Sequence, residues 1–438
     1  MEDVGNRAVG AQGLAPLQSV KDLIVIGGGP AGTAAALEAR RRGLTVSIWE
    51  RDRFPRHKVC GEFISAESLM ILEEEISFAA YRPAVIRRSE FISPRGRVHG
   101  FALPHAARGL SRRLLDRALW RAAAARGAEM HEGEGARSVE RIPPVNGRPI
   151  EWELRSVSGI KGRSLALAIC AGRWWSLEGI PGPAKSGGAH GGEWFGAKAH
   201  FAKISASDAV EMYYFPGGYC GLAPIEDGLY NACCLVERGL ARDASRPEIA
   251  DFASWIARVS GHGALADRLR AGSQISMTVT TAPVEPARRR ADHHGALMAG
   301  DAAGFLDPFT GDGISIALQS GRLAARCLAE SLNGKRDSEE MAQAPPVYRG
   351  KLTEAVGRSY RLAGLLRALV RAPSWLQESV AASLPWLGPR LEARTRWRNA
   401  ASNGERTSAE RPAAKGARQL DAREASDLNQ EPLERKLL

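Results

Sequence analysis

The chain has 438 residues, of which 44% are hydrophobic and 25% charged, and it carries a formal net charge of +11. This length allows a large core and more than one structural lobe, and the composition is that of a globular protein. The arginines are scattered rather than interleaved with aromatic residues in a stripe, so no nucleic-acid partner is expected. The positive charge is interpreted either as a solvated basic surface or as a surface that attracts an acidic substrate or an anionic membrane face.

Several classes of protein are excluded by the motifs that the sequence lacks. The six cysteines and nine histidines have none of the spacings typical of disulfide scaffolds or metal sites, so no metal is expected. No apolar run approaches the roughly 18 residues that a membrane-spanning helix needs. The first residues, MEDVGNRAVGAQG, contain no apolar signal segment. These features predict a cytoplasmic protein, with peripheral membrane contact left open.

The first predicted elements form a βαβ unit. Residues 1–20 are predicted to be a flexible leader. A buried strand over 22–26 is followed by a glycine turn, an alanine-rich helix that ends near Gly43, and a second strand over 44–49. A further helix is predicted over 111–127, where leucines recur at helical spacing. Consecutive strand, helix and strand predict an α/β fold with a parallel sheet.

The glycine turn carries the first functional signal. In LIVIGGGPAG, Gly27, Gly29 and Gly32 have the GxGxxG spacing, directly after a strand and at the start of a helix. Such a turn lets the backbone approach a pyrophosphate, and the helix N–H groups face its negative charge. Glu50, at the end of the next strand, can accept hydrogen bonds from ribose hydroxyls. The sequence therefore predicts dinucleotide binding.

The later segments predict an antiparallel sheet, a ligand-holding loop and a helical end. Short aromatic runs between 190 and 285, broken by Gly, Pro and Asp, predict the antiparallel sheet. The stretch 297–321 is rich in Gly and Asp, which makes it costly in backbone entropy and poor in apolar surface. We interpret it as a loop that holds a ligand. Residues 333–346 are predicted to be a polar linker, 345–397 a helical cap, and 398–438 a disordered tail.

Four stretches together resemble one known family. They are VIGGGPAG with Glu50, FPRHKVCGE at 54–62, SRRLLDRAL at 111–119 and GDAAGFLDPFTGDGI at 300–314. They resemble FAD-dependent oxidoreductases of the glutathione-reductase-like fold, in the superfamily that joins geranylgeranyl reductases and aromatic-ring monooxygenases. The resemblance implies a FAD/NAD(P)-binding fold with a parallel sheet, an inserted antiparallel substrate domain and C-terminal helices. The implied FAD-binding domain comprises 21–80, 108–180 and 286–332, and the implied substrate domain comprises 81–107 and 190–285.

The resemblance also implies which residues bind FAD. Asp301 would bond a ribityl hydroxyl, Pro308 would lie beside the flavin ring, and the helix starting at 311–313 would face its pyrimidine end. Arg112 would lie near the FAD phosphates, with Arg113 as the alternative. The full implied set is Gly27, Gly29, Ala31, Gly32, Glu50, Arg51, Cys60, Gly61, Arg112, Gly300, Asp301, Pro308, Gly311, Gly313 and Ile314.

Two further stretches are candidates for the reaction itself. Within KVCGE, Cys60 is either a catalytic thiol or a small residue packed against the cofactor, while His57 and Lys58 are interpreted as surface residues. In MYYFPGGYCGLAP, the candidates for a substrate pocket are Tyr213, Phe215 and Tyr219. The alternative for this stretch is an ordinary aromatic strand within a sheet.

The predicted function is that of a FAD-dependent oxidoreductase acting on a small hydrophobic molecule. Flavin-mediated reduction, as in geranylgeranyl reductases, and hydroxylation of an aromatic or polyketide substrate, as in monooxygenases, both stay open. NAD(P)H is the expected electron donor, although Ala171 occupies the place of the aspartate in the monooxygenase Asp-Gly motif. A non-catalytic binding module, similar to prenyl-protein chaperones, is the alternative from another class. The oligomeric state is left open.

Overall fold

The computed structural model describes residues 19–144, 150–182, 194–241, 250–284, 287–306, 311–333, 338–370 and 374–395. The predicted tail and all but the last two residues of the predicted leader lie outside these ranges. Pro308 also lies outside them. The fold is mixed α/β, with one largely parallel and one largely antiparallel sheet, which confirms the predicted class.

The first sheet is built around the predicted βαβ unit. Its order is β17-β18-β9-β1-β2-β6, and the pairs from β18 to β6 are parallel. A hairpin, β7 and β8, extends it beside β9. The strands are β1 (Lys21–Ile26), β2 (Val46–Glu50), β6 (Glu129–Glu132), β7 (Ala136–Ile142), β8 (Glu151–Ser156), β9 (Lys161–Ile169), β17 (Asp292–His293) and β18 (Ala296–Met298).

The second sheet lies in the segments that the sequence marks as antiparallel, with order β14-β10-β13-β12-β11-β4-β5-β3 and β15 beside β10. Only β11 and β4 pair in parallel. Its strands are β3 (Phe63–Ile64), β4 (Ala84–Ile92), β5 (Val98–Gly109), β10 (Trp194–Ala202), β11 (Ala209–Phe215), β12 (Gly218–Pro224), β13 (Tyr230–Glu237), β14 (Ser273–Gln274) and β15 (Val279–Thr281). A separate pair joins β16 (Ala287–Arg288) to β19 (Gly304–Phe305).

The helices flank the two sheets. They are α1 (Pro30–Arg41), α2 (Ala66–Glu75), α3 (Arg112–Ala125), α4 (Phe252–Ser260), α5 (Gly263–Arg270), α6 (Gly313–Asn333), α7 (Ser338–Val370) and α8 (Ser374–Thr395). Helix α1 packs on the parallel sheet, and α6 crosses α1 so closely that a methyl group on Gly321 would lie 2.1 Å from the Ala31 carbonyl oxygen. Gly321, the last residue of the predicted ligand loop, is therefore required for the close packing of α6 on α1.

Helix α7 corrects the predicted linker. The stretch 333–346 was expected to be polar and irregular, but the chain is helical from Ser338 onward, through two prolines. Tyr348 is completely buried, and its hydroxyl donates to the carbonyl oxygen of Met298 at 2.6 Å. Leu352 is buried in the same core. Packing of this apolar face offsets the cost of the two prolines, and the residues before them, EEMAQA, favour a helix.

The described part of the chain holds no helix with the length and apolar character needed to cross a bilayer.

Candidate active site

The glycine turn after β1 is shaped for close approach. Gly27 has a φ of 103°, and a methyl group there would lie 2.4 Å from the carbonyl oxygen of Cys170. A methyl on Gly32 would lie 1.8 Å from the Gly27 carbonyl oxygen. These two glycines are required by the fold alone. At Gly29, by contrast, a methyl would contact only the Arg112 guanidinium at 3.8 Å, so the space above this residue is open.

The open space at Gly29 is bordered by a fixed cation. Arg112 begins α3, and its guanidinium makes two hydrogen bonds, of 2.6 and 2.7 Å, to the buried carboxylate of Asp116. The N-terminus of α1 begins at the same place, so helix N–H groups and a guanidinium converge there. This is the donor set that a pyrophosphate requires. Of the two arginines that the sequence left open, Arg112 is the one beside Gly29.

Glu50 lies at the end of β2 and is almost completely buried. Its Oε2 accepts from the backbone N–H of Gly28 at 2.6 Å, and its Oε1 accepts from that of Asp52 at 2.9 Å and from Arg56 at 2.6 Å. Within the described residues Oε2 receives this one hydrogen bond, so it keeps a lone pair for a ribose hydroxyl. The neighbouring Arg51 is mostly exposed at the edge of the same region.

Asp301 follows β18 in a short 3-10 turn. Its carboxylate is 37% exposed and faces Arg173, whose Nε lies 4.0 Å away. Burial by the surrounding protein raises the pKa of Asp301, while Arg173, Arg112 and Arg289 act in the opposite direction. Arg173 also stacks over the Phe305 ring, and its carbonyl oxygen accepts from Arg289 at 2.6 Å. The nearby arginines balance the negative charge of Asp301. Its carboxylate can therefore accept a hydrogen bond from a hydroxyl group while it stays paired.

The start of α6 lies beside the Asp301 turn. We call the space around Gly29, Arg112, Asp301 and Gly313 the recess. Gly300 packs against Ala31, and its N–H donates to the Ser320 hydroxyl at 2.8 Å, which ties the Asp301 turn to α6. Gly313 begins the helix, and a methyl there would meet no atom of the described protein within 4 Å. The following Ile314 is buried in the main core. Within the described residues, the first residue of α6 therefore has open space beside it.

The loop that contains KVCGE lies between the recess and the second sheet. Phe63 contacts Gly311, just before α6. Cys60 is half-buried; its thiol accepts from the N–H of Glu62 at 3.4 Å and interacts with Arg112. Its carbonyl oxygen accepts from the Asn231 amide at 2.9 Å. The adjacent Gly61 is exposed and has open space around it.

A buried ionic cluster lies directly behind this loop. Glu62 is fully buried and receives hydrogen bonds from the ammonium of Lys198 and, at 2.7 Å, from Nε2 of His200. The backbone N–H of Arg112 donates to the same carboxylate at 2.7 Å. Burial alone would raise the pKa of Glu62, but the charges of Lys198 and His200 outweigh it and lower the pKa to about 2. The carboxylate is therefore ionised.

His57 corrects the prediction that it is a surface residue. It is half-buried, with its ring edge-on to that of His200 and the two centroids 5.2 Å apart. Burial, together with the nearby Lys198 and His200, lowers the pKa of His57 to about 4. Lys58 is also only partly exposed, and its ammonium pairs with Asp52 at 2.6 Å.

The second sheet corrects two of the three pocket candidates. Tyr213 and Phe215 lie on the sheet face that packs against α4 and α5, in a core cluster with Phe252 and Trp255. The opposite face carries the neighbouring Tyr214, because successive strand residues point to opposite sides. For Tyr213 and Phe215 the structure therefore agrees with the alternative, an ordinary aromatic strand within a sheet.

The face of the second sheet that lies near Asp301 is aromatic. Tyr219 and Tyr214 belong there to a cluster with Trp194, Leu235 and Phe305. Phe305 is part of the loop that also carries Asp301, so the cluster links the second sheet to this loop. Its core members are buried, and Tyr214 and Met212 are partly exposed; we call this cluster the aromatic wall. Tyr219 is the predicted pocket residue that lies on it.

These residues fit FAD, although the position of the cofactor is not part of the structure. Gly29, Arg112 and the start of α1 would hold the pyrophosphate, Glu50 the adenosine ribose, Asp301 the ribityl chain, and the start of α6 the flavin ring. Bound FAD would supply two-electron redox chemistry. Ala171, just after β9, offers no carboxylate, as the sequence indicates.

Comparison with known proteins agrees with this site. A family model described as FAD dependent oxidoreductase matches residues 22–55. The chain is 27% identical over 367 residues to digeranylgeranylglycerophospholipid reductase 2 of Methanopyrus kandleri, covering 78% of this chain and 84% of that protein. It is 25% identical over 384 residues to menaquinone reductase of Mycolicibacterium smegmatis, covering 81% and 86%.

The fold is similar to that of solved flavoproteins. A flavin-dependent brominase superposes with a TM-score of 0.68 at 17% identity, over 94% of this chain and all of that chain. At this identity the similarity shows the FAD-binding fold. The resemblance drawn from the four sequence stretches is confirmed: the chain is similar to FAD-dependent oxidoreductases, and its relatives, at low identity, include geranylgeranyl-reductase-like and halogenase-like enzymes.

Proposed function

We propose that this oxidoreductase reduces an unsaturated hydrophobic small molecule, with NAD(P)H as the electron donor. The observation that carries the proposal is that Phe305, from the loop that carries Asp301, packs in the aromatic wall of the second sheet and so brings that sheet next to the residues that fit FAD. A flat apolar substrate packed on that wall would lie beside the start of α6, where the flavin ring fits. Reductases of prenyl lipids and of menaquinone among the relatives support this direction of chemistry.

The chain's own groups would bind and orient rather than react. Arg112 and the N-terminus of α1 neutralise the phosphates, and the N-terminus of α6 stabilises negative charge on the ring. Tyr214, Tyr219 and Trp194 exclude water from the wall. Cys60 already has a hydrogen-bond donor in its own loop, which supports a packing role for it.

NAD(P)H, the proposed electron donor, would have to bind without the aspartate of the monooxygenase Asp-Gly motif, because Ala171 occupies that place. Ala171 cannot orient a nicotinamide, but Arg173 and Arg289 lie beside Asp301 and carry positive charge at that edge of the recess. Two guanidinium groups suit a phosphate-bearing donor. This supports NADH or NADPH as the source of electrons.

The test is an anaerobic titration of the FAD-loaded protein with NADPH and with NADH, followed by the visible flavin absorbance. We expect bleaching by at least one of them without added substrate. A flavin that binds but stays oxidised would contradict the proposed donor and direct the search to a separate electron carrier. A purified protein that binds no flavin would contradict the oxidoreductase function and leave the binding module.

Admitting air to the reduced protein separates reduction from hydroxylation. A reductase should reoxidise slowly and form little product with oxygen, whereas menadione, a soluble quinone used as the probe, should reoxidise it rapidly. Fast oxygen consumption that rises with an aromatic compound would instead favour the monooxygenase alternative. The similarity of the fold to that of a flavin-dependent brominase is compatible with this alternative.

A further inference from the structure

A second cavity lies outside the recess, between α6, α7 and the segment 289–292. Its volume is about 370 Å³, which falls in the range of roughly 300 to 1,000 Å³ that small-ligand pockets cover. The four residues that define the recess, Gly29, Arg112, Asp301 and Gly313, do not line this cavity. It is therefore a separate space, which the proposed reaction does not use.

The inner wall of the cavity is aliphatic. It is formed by Ile316 from α6 and by Leu352 and Val356 from α7, each at most 8% exposed. Leu352 and Val356 are four residues apart, so they lie on one face of α7. This wall offers a surface on which the apolar part of a ligand would pack.

The outer rim of the cavity is basic. Arg290 and Arg349 are exposed there, and Arg289 is half-buried. Asp292, also on the rim, pairs with Arg349 at 2.7 Å. Within the part of the chain that the structure describes, Arg289 and Arg290 form no ion pair. The rim therefore keeps an excess of positive charge beside the aliphatic wall.

Arg289 is held at the rim by two hydrogen bonds. Its backbone N–H donates to the carbonyl oxygen of Ala303 at 3.1 Å, and its Nη1 donates to that of Arg173 at 2.6 Å. Burial lowers the pKa of Arg289 and Arg173 adds to this effect, while Asp301 acts in the opposite direction. An anion at the rim would stabilise the charged guanidinium.

We propose that this cavity binds a phosphate monoester with an aliphatic body. The phosphate would lie on Arg289 and Arg290, and the body would pack against the wall of Ile316, Leu352 and Val356. Guanidinium groups match phosphate oxygens in charge and geometry. A neutral lipid would leave the rim without a counter-charge, and inorganic phosphate would leave the wall without an apolar partner. Binding at this site does not depend on the redox reaction proposed above.

The experiment is a calorimetric titration of the FAD-loaded full chain with octyl phosphate. Inorganic phosphate and octanol, each of which carries one half of the probe, are titrated separately. We expect one equivalent of octyl phosphate to bind at least about tenfold more tightly than either half. Octyl phosphate that binds no more tightly than its halves would overturn the proposal.

Two variants locate the bound probe. Arg290→Gln removes a charge from the rim and should weaken octyl phosphate at least about fivefold. Thr353→Trp places an indole ring at an exposed position of the cavity, where the fold tolerates it, and should abolish binding. Arg258→Gln, the matched control, removes an exposed positive charge from α4 and should bind as the wild type does. Wild-type affinity in either of the first two variants would overturn the site.

Competition separates this ligand from the electron donor. Arg289 also lies near the proposed NAD(P)H position, but Arg290 and the aliphatic wall do not belong to it, so octyl phosphate should stay bound when NADPH is added. Its displacement by NADPH would overturn the proposal, because the cavity would then belong to the donor. Displacement by vesicles of phosphatidylcholine and phosphatidic acid would support the site with a membrane lipid as its source of phosphate. Retention of octyl phosphate with these vesicles would support it with a soluble aliphatic phosphate.

Discussion

At the scale of single residues, the glycines of the first turn separate what the fold needs from what the cofactor needs. A methyl group on Gly27 or Gly32 would lie 2.4 or 1.8 Å from a backbone oxygen, whereas Gly29 has open space next to Arg112. The space at Gly29 lies beside Arg112 and the start of α1, where the cofactor phosphates would bind. Substitution at Gly29 can therefore affect the cofactor without affecting the fold.

We predict that Gly29→Ala lowers FAD affinity at least about tenfold, which corresponds to about 1.4 kcal/mol, and leaves the unfolding free energy of the FAD-free protein unchanged. The added methyl occupies the phosphate position but meets no backbone. Flavin fluorescence titration and urea unfolding measure the two quantities. Gly263→Ala is the matched control, since Gly263 also lies at a helix start with open space around it. Equal FAD affinity in Gly29→Ala and wild type would show that the phosphates lie elsewhere.

The correction in β11 gives a second residue-scale prediction. The Tyr213 hydroxyl donates to Glu211 at 2.6 Å on the face away from the recess, and Arg268 pairs with the same carboxylate. Tyr213→Phe should lower the unfolding free energy by about 2 kcal/mol, as expected for a hydrogen bond to a charged group. FAD affinity should not change. If Tyr213→Phe has normal stability but binds FAD more weakly, Tyr213 would belong to the pocket after all.

The sequence reveals residues whose role depends on local geometry and misses those that meet only in the folded chain. Gly27, Gly29, Gly32 and Glu50 follow a spacing that a βαβ unit imposes, so their positions could be predicted. Lys198 and His200 sit in AKAHF, whose alternation is that of an ordinary half-exposed strand. Nothing local distinguishes a polar face that meets water from one that meets Glu62, which is 136 residues away in sequence from Lys198.

At the scale of elements, the crossing of α1 and α6 depends on the absence of a side chain at Gly321. We predict that Gly321→Ala lowers the unfolding free energy by about 2 kcal/mol, because the methyl would collide with the Ala31 backbone at 2.1 Å. Gly350→Ala, in α7, should instead raise it by about 0.5 to 1 kcal/mol, since that site is open and alanine favours helix. Urea unfolding of both variants checks the opposite signs. Two stabilised variants would mean that helix propensity, not the crossing, decides the effect.

The start of helix α7 is the element boundary that was predicted incorrectly. The prolines and charges in 338–346 were interpreted as a linker, although residues 339–344, EEMAQA, are strong helix formers. The helix forms because Tyr348 and Leu352 reach the core beneath β18. Parallel and antiparallel sheets were predictable because their signals, strand–helix–strand alternation and short aromatic runs, are local. The start of α7 is set by contacts across the molecule.

At the scale of the whole molecule, buried carboxylates join separate elements. Glu38 in α1 binds Arg42 in the next turn and Arg326 in α6, each at 2.9 Å, just as Glu62 binds the second sheet. Burial would raise the pKa of Glu38, but Arg326, Arg42 and Arg41 lower it to about 2. Glu38 and Glu62 therefore stabilise the folded state only while they are ionised.

The sign of the pH dependence follows from these shifts. Each of the two glutamates has a folded-state pKa of about 2, below the ordinary value of 4.5. The unfolded chain therefore binds more protons between these limits, and stability that is fully present above pH 4.5 is lost as the pH falls toward 2. His57, lowered from 6.5 to about 4, acts in the same direction between those values. Glu226 and Asp301, whose pKa values are raised by burial, act in the opposite direction.

We predict that the unfolding free energy falls as the pH is lowered from 6.5 to 3, steepest below 4.5, with Glu38 and Glu62 each contributing about 2 to 3 kcal/mol by pH 2. Urea unfolding at a series of pH values measures this slope. Glu38→Gln should be less stable at pH 7 and should show a shallower loss below 4.5. Glu178→Gln, which removes a mostly exposed partner of Arg137, should keep the wild-type slope. Equal slopes in wild type and Glu38→Gln would mean that the ion pairs across α1 and α6 do not govern acid unfolding, and that the loss arises elsewhere in the charged surface.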